Sequence, residues 1–149
     1  MTALILPNSE DRELFLYHLK NKDGLSSTNI LGMEATMAAY NYSSDWVDEL
    51  NTYIADNIHL ATTFFEEKFE KVVIVPTEAT YLMWIDLSGI SIPMNEVQRR
   101  LVHIGRVAIM DGEIYGGNGE HFLRLNVGCP RAKLIEGLNR IEKSLEGVE

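Results

Sequence analysis

One charged residue interrupts an apolar, strand-like run at residues 122–127, Phe-Leu-Arg-Leu-Asn-Val. Side chains alternate between the two faces of a strand, so Leu123, Leu125 and Val127 are predicted to share a core face and Arg124 the opposite face. A guanidinium buried without a partner is costly, so Arg124 must meet water, an internal acid or a ligand. Two interpretations remain open: a solvent-facing arginine, or a fixed guanidinium that binds a carboxylate through two parallel hydrogen bonds.

A glycine-rich segment, residues 111–120, comes immediately before this strand and contains four glycines together with Tyr115. Glycines let a backbone approach a ligand closely. The segment lacks the lysine that follows the last glycine of a nucleotide-binding phosphate loop. It is therefore predicted to be a loop, either a simple hairpin connection or a cradle for part of a ligand.

The other reactive side chains show no catalytic or metal-binding pattern. The four histidines are scattered, and none has metal-ligand spacing to another histidine or to a cysteine: His18, His59, His103 and His121. The single cysteine, Cys129, has no evident base beside it and is predicted to be a small buried residue. Since no Ser-His-Asp set stands out either, the sequence predicts no metal site and no catalytic residue of its own.

The elements that would position Arg124 form an α+β arrangement, with a three- to four-stranded sheet covered by helices on one face. Apolar residues recur at helical spacing from Asp45 onwards, which predicts a long helix there. This helix is expected to connect the first part of the chain to the sheet. Strands are predicted at residues 3–6, 72–75, 81–85, 107–110 and 122–127. Helices are predicted at residues 10–19, 29–40 and 45–69, and after Pro93 and Pro130.

Composition narrows the possible partners. The chain has 149 residues and a formal charge of −9, which disfavours nucleic acid and anionic membranes as partners. The sequence contains no apolar run long enough to span a bilayer and no signal-peptide pattern at its start. A single cysteine cannot form an internal disulfide, so a cytoplasmic location is expected.

Several segments resemble class I/II aminotransferases, and above all their cystathionine β-lyase-like branch. Residues 107–131 are similar to the C-terminal signature of that family: a strand, a Gly-aromatic-Gly loop, a second glycine, Phe-x-Arg-x-Asn and a Pro-Arg pair. Residues 76–86 resemble the segment that usually contains Gly-Thr-Tyr, and residues 25–35 resemble a Ser-x-Asn-x-x-Gly turn. The resemblance covers essentially the whole chain in the right order.

The resemblance implies a fold and a set of residue roles. The fold would be the small C-terminal domain of a fold type I pyridoxal-phosphate enzyme, with residues 1–28 as a remnant of the large-domain edge and connecting helix, and residues 29–149 as the small domain. Arg124 would bind the α-carboxylate of an amino-acid substrate. Tyr115 would border the mouth of the active site. Asn29 would approach the cofactor of the neighbouring subunit in a dimer.

Two departures from the family pattern affect the expected function. Ala79 replaces a glycine, which is acceptable only if its backbone avoids positive φ. The family's Schiff-base lysine would precede Met1, and the lysines of this chain match no cofactor position. The parent family uses pyridoxal phosphate, but this chain alone is therefore expected to bind none and to be inactive.

Three hypotheses follow for the function of the chain. The first is the C-terminal portion of a pyridoxal-phosphate-dependent aminotransferase or C–S lyase. The second is a standalone carboxylate-binding module, or a subunit of a split enzyme. The third is a structural protein without a site. The partners expected under the first two are an amino acid held by Arg124, and a large-domain partner or a second copy of the chain.

Overall fold

A computed structural model describes residues 4–25 and 28–148 of the chain. These residues form two compact units, one ending at Asp48 and the other beginning at Glu49. The predicted boundary between residues 28 and 29 concerns the parent family's domains, and it stays a prediction. Among the described residues, no helix is long and apolar enough to cross a membrane.

The first unit contains two helices and the start of a third. Helix α1 spans Ser9–Tyr17 and continues into a π turn at His18–Lys22, and helix α2 spans Ile30–Tyr42. Helix α3 spans Ser44–Lys68 and extends into the second unit. No described residue up to Asp48 is fully buried.

The strand predicted at residues 3–6 is wrong for residues 4–6. They adopt no regular structure, and Leu4 and Ile5 are 59% and 86% exposed; Ala3 lies outside the described residues. A strand is stabilised by the ladder to its neighbour. No strand among the described residues pairs with this run, so its apolar character alone does not make it a strand.

The second unit consists of a four-stranded antiparallel sheet in the order β1-β2-β4-β3, with helices packed against it. Its strands are β1 at Val73–Ile74, β2 at Leu82–Asp86, β3 at Met110–Asp111 and β4 at Phe122–Asn126. Its further helices are α4 at Met94–Arg100, with a π turn at Leu101–Gly105, and α5 at Arg131–Leu145. Two short 3-10 turns, Gly112–Tyr115 and Gly119–His121, lie between β3 and β4. The predicted α+β class is confirmed.

The core lies between one face of this sheet and helices α3, α4 and α5. Met83 and Ile85 of β2 and Leu123 of β4 are at most 1% exposed, as the alternation of strand side chains requires. Burying one such side chain contributes about 1.5–3 kcal/mol. Leu125, predicted for the same face, is only partly buried and packs at the edge of the core.

The strand predicted at residues 107–110 is mostly wrong, because only Met110 belongs to β3. Arg106 adopts a left-handed φ of 53° at the end of the π turn, and the Val107 amide donates to the Leu101 carbonyl. The chain therefore leaves the turn bound to the preceding helix. Residues 107–110, β4 and α5 line a partly open pocket of about 210 Å³, and only residues 110–111 pair with β4.

Candidate carboxylate-binding site

Arg124 lies in the middle of β4, opposite Trp84 of β2 and Met110 of β3. Its side chain is half-buried, and its Nε is buried without a hydrogen-bond partner. Within the described part of the chain, no carboxylate forms a salt bridge with Arg124. A half-buried cation without a counter-charge is a costly arrangement that an anionic ligand would relieve.

The aromatic ring of Tyr115 covers one face of the guanidinium. The Cζ atom of Arg124 lies 4.2 Å from the centroid of this ring, well within the range of a cation–π contact. The Tyr115 ring meets Trp84 edge-on at 5.6 Å, and Trp84 meets Phe122 edge-on at 6.0 Å. Arg124 and Tyr115, both predicted from the sequence, are thus in contact in the structure. The role of each stays a prediction.

The glycines of the loop explain how Tyr115 reaches this position. Gly116 and Gly117 have φ values of 74° and 63°, which favour glycine because a side chain would be strained there. Gly112 and Gly119 pack against each other so closely that a Cβ on Gly119 would lie 2.3 Å from the Gly112 carbonyl oxygen. These glycines therefore serve the packing and the sharp turns of the loop itself, and the loop presents Tyr115 to Arg124.

A cleft of about 260 Å³ adjoins Arg124, lined by residues 75–80, Leu82 and Trp84. Small-molecule sites usually occupy about 300–1,000 Å³, so this cleft suits one end of a ligand better than a whole one. Thr80 lines it with a φ of 69°, which is unusual for a β-branched residue. Such strain is often found at ligand clamps. Ala79 is not among the residues with positive φ, so the alanine at this position is compatible with its backbone.

A buried asparagine, which the sequence did not single out, anchors the turn after β4. Asn57 of α3 is fully buried, and its side-chain nitrogen donates to the Val127 and Cys129 carbonyls at 2.9 and 3.0 Å. Its oxygen accepts from Arg131 Nε at 3.4 Å. The Arg131 amide in turn donates to the Tyr53 hydroxyl at 2.7 Å. The sequence did contain one indication of this role, because Asn57 places an amide at a core position of the apolar stripe of α3.

The remaining predicted position, Asn29, lies in the first unit. Its side-chain oxygen accepts from the Leu31 and Gly32 amides at 2.9 and 3.2 Å, so it caps helix α2. This cap is a structural role that the family resemblance did not specify, and the predicted approach to a cofactor stays a prediction. Among the described residues, no three His, Cys, Asp or Glu side chains lie close enough to hold a metal ion.

Comparisons with known proteins identify the family and the fold of the chain. No family model matches the chain. Over 144 residues, 97% of its length, the chain is 38% identical to protein MalY of Escherichia coli K12 and equally to the cystathionine β-lyase PatB of Bacillus subtilis 168. It also superimposes on the crystal structure of cystalysin from Treponema denticola, which contains pyridoxal 5′-phosphate, with a TM-score of 0.84 and 28% identity. That match covers 95% of this chain and 36% of cystalysin.

The fold and these similarities define the chain as homologous to the C-terminal domain of fold type I pyridoxal-phosphate enzymes. Within that class it belongs with the MalY and PatB group of cystathionine β-lyase-like C–S lyases. The chain spans about 37% of the length of these two relatives.

The described residues do not by themselves fit the cofactor of this family. Pyridoxal phosphate requires an amine for covalent attachment. Lys133, near the Arg124 strand, is exposed, and Lys68 is held 2.9 Å from Glu142 in a surface ion pair. The other lysines are also exposed: Lys20, Lys22, Lys71 and Lys143. Lys133 lines a pocket of about 210 Å³ together with Arg124, so it is the exposure of its amine, and not its distance from Arg124, that argues against a preformed cofactor site.

Proposed function

We propose that this chain is the carboxylate-binding portion of a pyridoxal-phosphate-dependent C–S lyase that acts on amino acids. The observation that carries the proposal is the unpaired guanidinium of Arg124, fixed against Tyr115 at 4.2 Å beside a small cleft. The 38% identity to a cystathionine β-lyase favours C–S bond cleavage over transamination as the parent reaction.

In this role Arg124 orients the substrate. A carboxylate would accept hydrogen bonds from the guanidinium and supply the ion pair that Arg124 lacks among the described residues, since Glu78 lines the same cleft without forming a salt bridge to it. A bidentate pair fixes both the position and the plane of the carboxylate, so the rest of the amino acid would be directed into a defined place. The partly buried aromatic side chains of Trp84 and Phe122 would reduce competition from water near this ion pair.

The cofactor, which stabilises the carbanion formed from the amino acid, would be held by residues outside this sequence. We propose that the chain alone neither binds pyridoxal phosphate nor catalyses the reaction. The first unit supports the need for a partner, because it exposes large apolar side chains such as Phe15, Ile30 and Trp46 at 41–67%. Such a surface is typical of an interface with another protein surface. It favours a large-domain partner over a standalone binding module.

A cofactor titration tests the first part of this proposal. The purified chain would be titrated with pyridoxal phosphate, reduced with borohydride, and digested for mass mapping of modified lysines. We expect no saturable absorbance change and only low, scattered lysine modification. Stoichiometric modification of one lysine would show that this chain holds the cofactor itself and would overturn the proposed dependence on a large domain.

A ligand titration tests the role of Arg124. We expect L-alanine to bind the chain weakly, and the substitution Arg124→Met to abolish that binding while the far-ultraviolet circular dichroism spectrum is retained. Arg131→Met is the matched control, because Arg131 is a half-buried arginine of the same unit that already pairs with Asp56 and Asn57. Equal affinity of the wild type and the Arg124→Met variant would refute carboxylate binding at this position.

A further inference from the structure

The contact between Tyr115 and Arg124 suggests a role for the tyrosine beyond bordering a cleft. Resting on the function proposed above, we propose that Tyr115 is a positioning residue that fixes the plane of the Arg124 guanidinium for carboxylate binding. Three observations support this role. Few contacts other than Tyr115 hold the guanidinium, the Tyr115 ring is itself held in place, and the N–H donors of Arg124 remain free for a ligand.

Few contacts other than the one with Tyr115 hold the guanidinium of Arg124. No hydrogen bond or salt bridge holds the Arg124 guanidinium among the described residues, and its Nε is buried without a partner. Arginine side chains have large rotamer freedom, which must be lost before two parallel hydrogen bonds to a carboxylate can form. The ring of Tyr115, 4.2 Å from Cζ, is the contact that limits this freedom.

The tyrosine ring is itself held in place. Trp84, directly opposite Arg124 on the neighbouring strand, meets the ring edge-on at 5.6 Å with an interplanar angle of 79°. The short turn that carries Tyr115 begins at Asp111, whose carboxylate accepts from the Glu113 amide at 3.1 Å. It ends at Gly116, whose φ of 74° redirects the chain. Both the side chain and the backbone of Tyr115 are therefore fixed before any ligand arrives.

The geometry leaves the useful donors of the arginine free. The N–H donors of a guanidinium lie in its plane, and the contact with Tyr115 is made by Cζ over the face of the ring and not by a hydrogen bond to an acceptor. A carboxylate approaches in that plane. Tyr115 can thus orient the arginine without competing for its donors, which an acidic partner would do.

The closing experiment compares Tyr115→Phe with Tyr115→Leu in the full chain. Tyr115 is 42% exposed, so neither substitution should prevent folding, and thermal melts by circular dichroism verify this. The first readout is the Arg124 Nε–H resonance, assigned by its loss in Arg124→Lys, because a proton near a ring face is shifted upfield. The second is the Kd for L-alanine.

We expect Tyr115→Leu to move the Nε–H resonance toward that of a solvated arginine and to weaken L-alanine binding about two- to fivefold, the worth of an exposed cation–π contact. Tyr115→Phe retains the ring and should restore both values. An unchanged resonance in Tyr115→Leu, or a resonance that moves without any change in affinity, would overturn the inference. If wild type binds no better than Arg124→Met, the proposed function fails, and the resonance still decides whether the ring holds the arginine.

Discussion

Removing the Asn57 side chain should destabilise the second unit strongly, because this amide joins α3 to the turn that follows the Arg124 strand. Asn57 is 0% exposed and donates to the Val127 and Cys129 carbonyls at 2.9 and 3.0 Å. It also accepts from Arg131 Nε at 3.4 Å. The substitution Asn57→Ala leaves the Val127 carbonyl with the Cys129 amide as its donor, at 2.9 Å, and leaves the Cys129 carbonyl with no donor among the described residues. It also opens a void among close-packed side chains.

The size of the effect follows from these contacts. The Val127 carbonyl keeps the Cys129 amide as a donor, so the loss of its buried bond to Asn57 costs about 0.5–1.5 kcal/mol. The bond to the Cys129 carbonyl is partly exposed, so its loss costs only about 0.5–1.5 kcal/mol. Alanine recovers roughly 0.5 kcal/mol through its higher helix propensity. The void left by the removed amide adds roughly 1 kcal/mol. The expected loss of unfolding free energy is therefore about 1.5–3.5 kcal/mol.

Urea denaturation of the full chain, followed by far-ultraviolet circular dichroism, measures this loss. Asn51→Ala is the matched control: it makes the same change at an exposed position of the same helix and should shift the free energy of unfolding by about 0.5 kcal/mol or less. Asn57→Asp keeps the side-chain volume but replaces the donor with an acceptor. It should cost at least as much as Asn57→Ala. A loss below about 1 kcal/mol in both Asn57 variants would refute the reasoning.

Three further outcomes are expected from urea denaturation of the same chain. Gly105→Ala should cost about 2 kcal/mol or more, because the new Cβ would lie 2.2 Å from Ser144 Oγ and 2.5 Å from the Arg140 carbonyl oxygen. Gly137→Ala, also on a helical segment but with nothing within 4 Å of its new Cβ, should stabilise by about 0.5–1 kcal/mol; equal effects at the two glycines would contradict the packing argument. Hydrogen bonds from the side chains of Arg99 and Arg100 lower the pKa of Glu96 from 4.5 to about 2. The ionised Glu96 carboxylate therefore contributes fully to stability above the pKa of the unfolded chain, and this contribution is lost as the pH falls to about 2. The urea midpoint of Glu96→Gln should therefore lie below that of the wild type at pH 6, and the gap should close near pH 2; a gap independent of pH would exclude this linkage.

The sequence predicted those elements whose patterns are determined locally. The strands predicted at residues 81–85 and 122–127 correspond to β2 at Leu82–Asp86 and β4 at Phe122–Asn126, and the helix predicted after Pro130 corresponds to α5. The failures are elements that depend on partners distant in sequence. No strand within residues 4–25 and 28–148 pairs with residues 4–6. Residues 107–109 follow a left-handed turn that binds them to the preceding π turn.

The candidate site, like the fold, could be predicted from the sequence only in part. Alternation along β4 places Arg124 on the face opposite the core, but it cannot tell a solvated arginine from a ligand-binding one. The structure adds two observations that the alternation does not contain: the Nε of Arg124 is buried without a partner, and its Cζ lies over the Tyr115 ring. That ring comes from a loop whose path depends on two left-handed glycines and on a cross-strand tryptophan, Trp84. None of these contacts has a local sequence period, so no strand or helix pattern could have predicted them.

Under the proposed function, the arrangement shows which parts of the fold would organise a carboxylate-binding arginine. The position of Arg124 depends on β2, β4 and the Tyr115 loop, all of which belong to the second unit. The aromatic contacts partly shield the charge without neutralising it, and they leave its in-plane donors available. The packing that stabilises the sheet therefore also positions the guanidinium. Under the proposed function, the substrate carboxylate would bind an arginine that is already positioned before any other part of the substrate is bound.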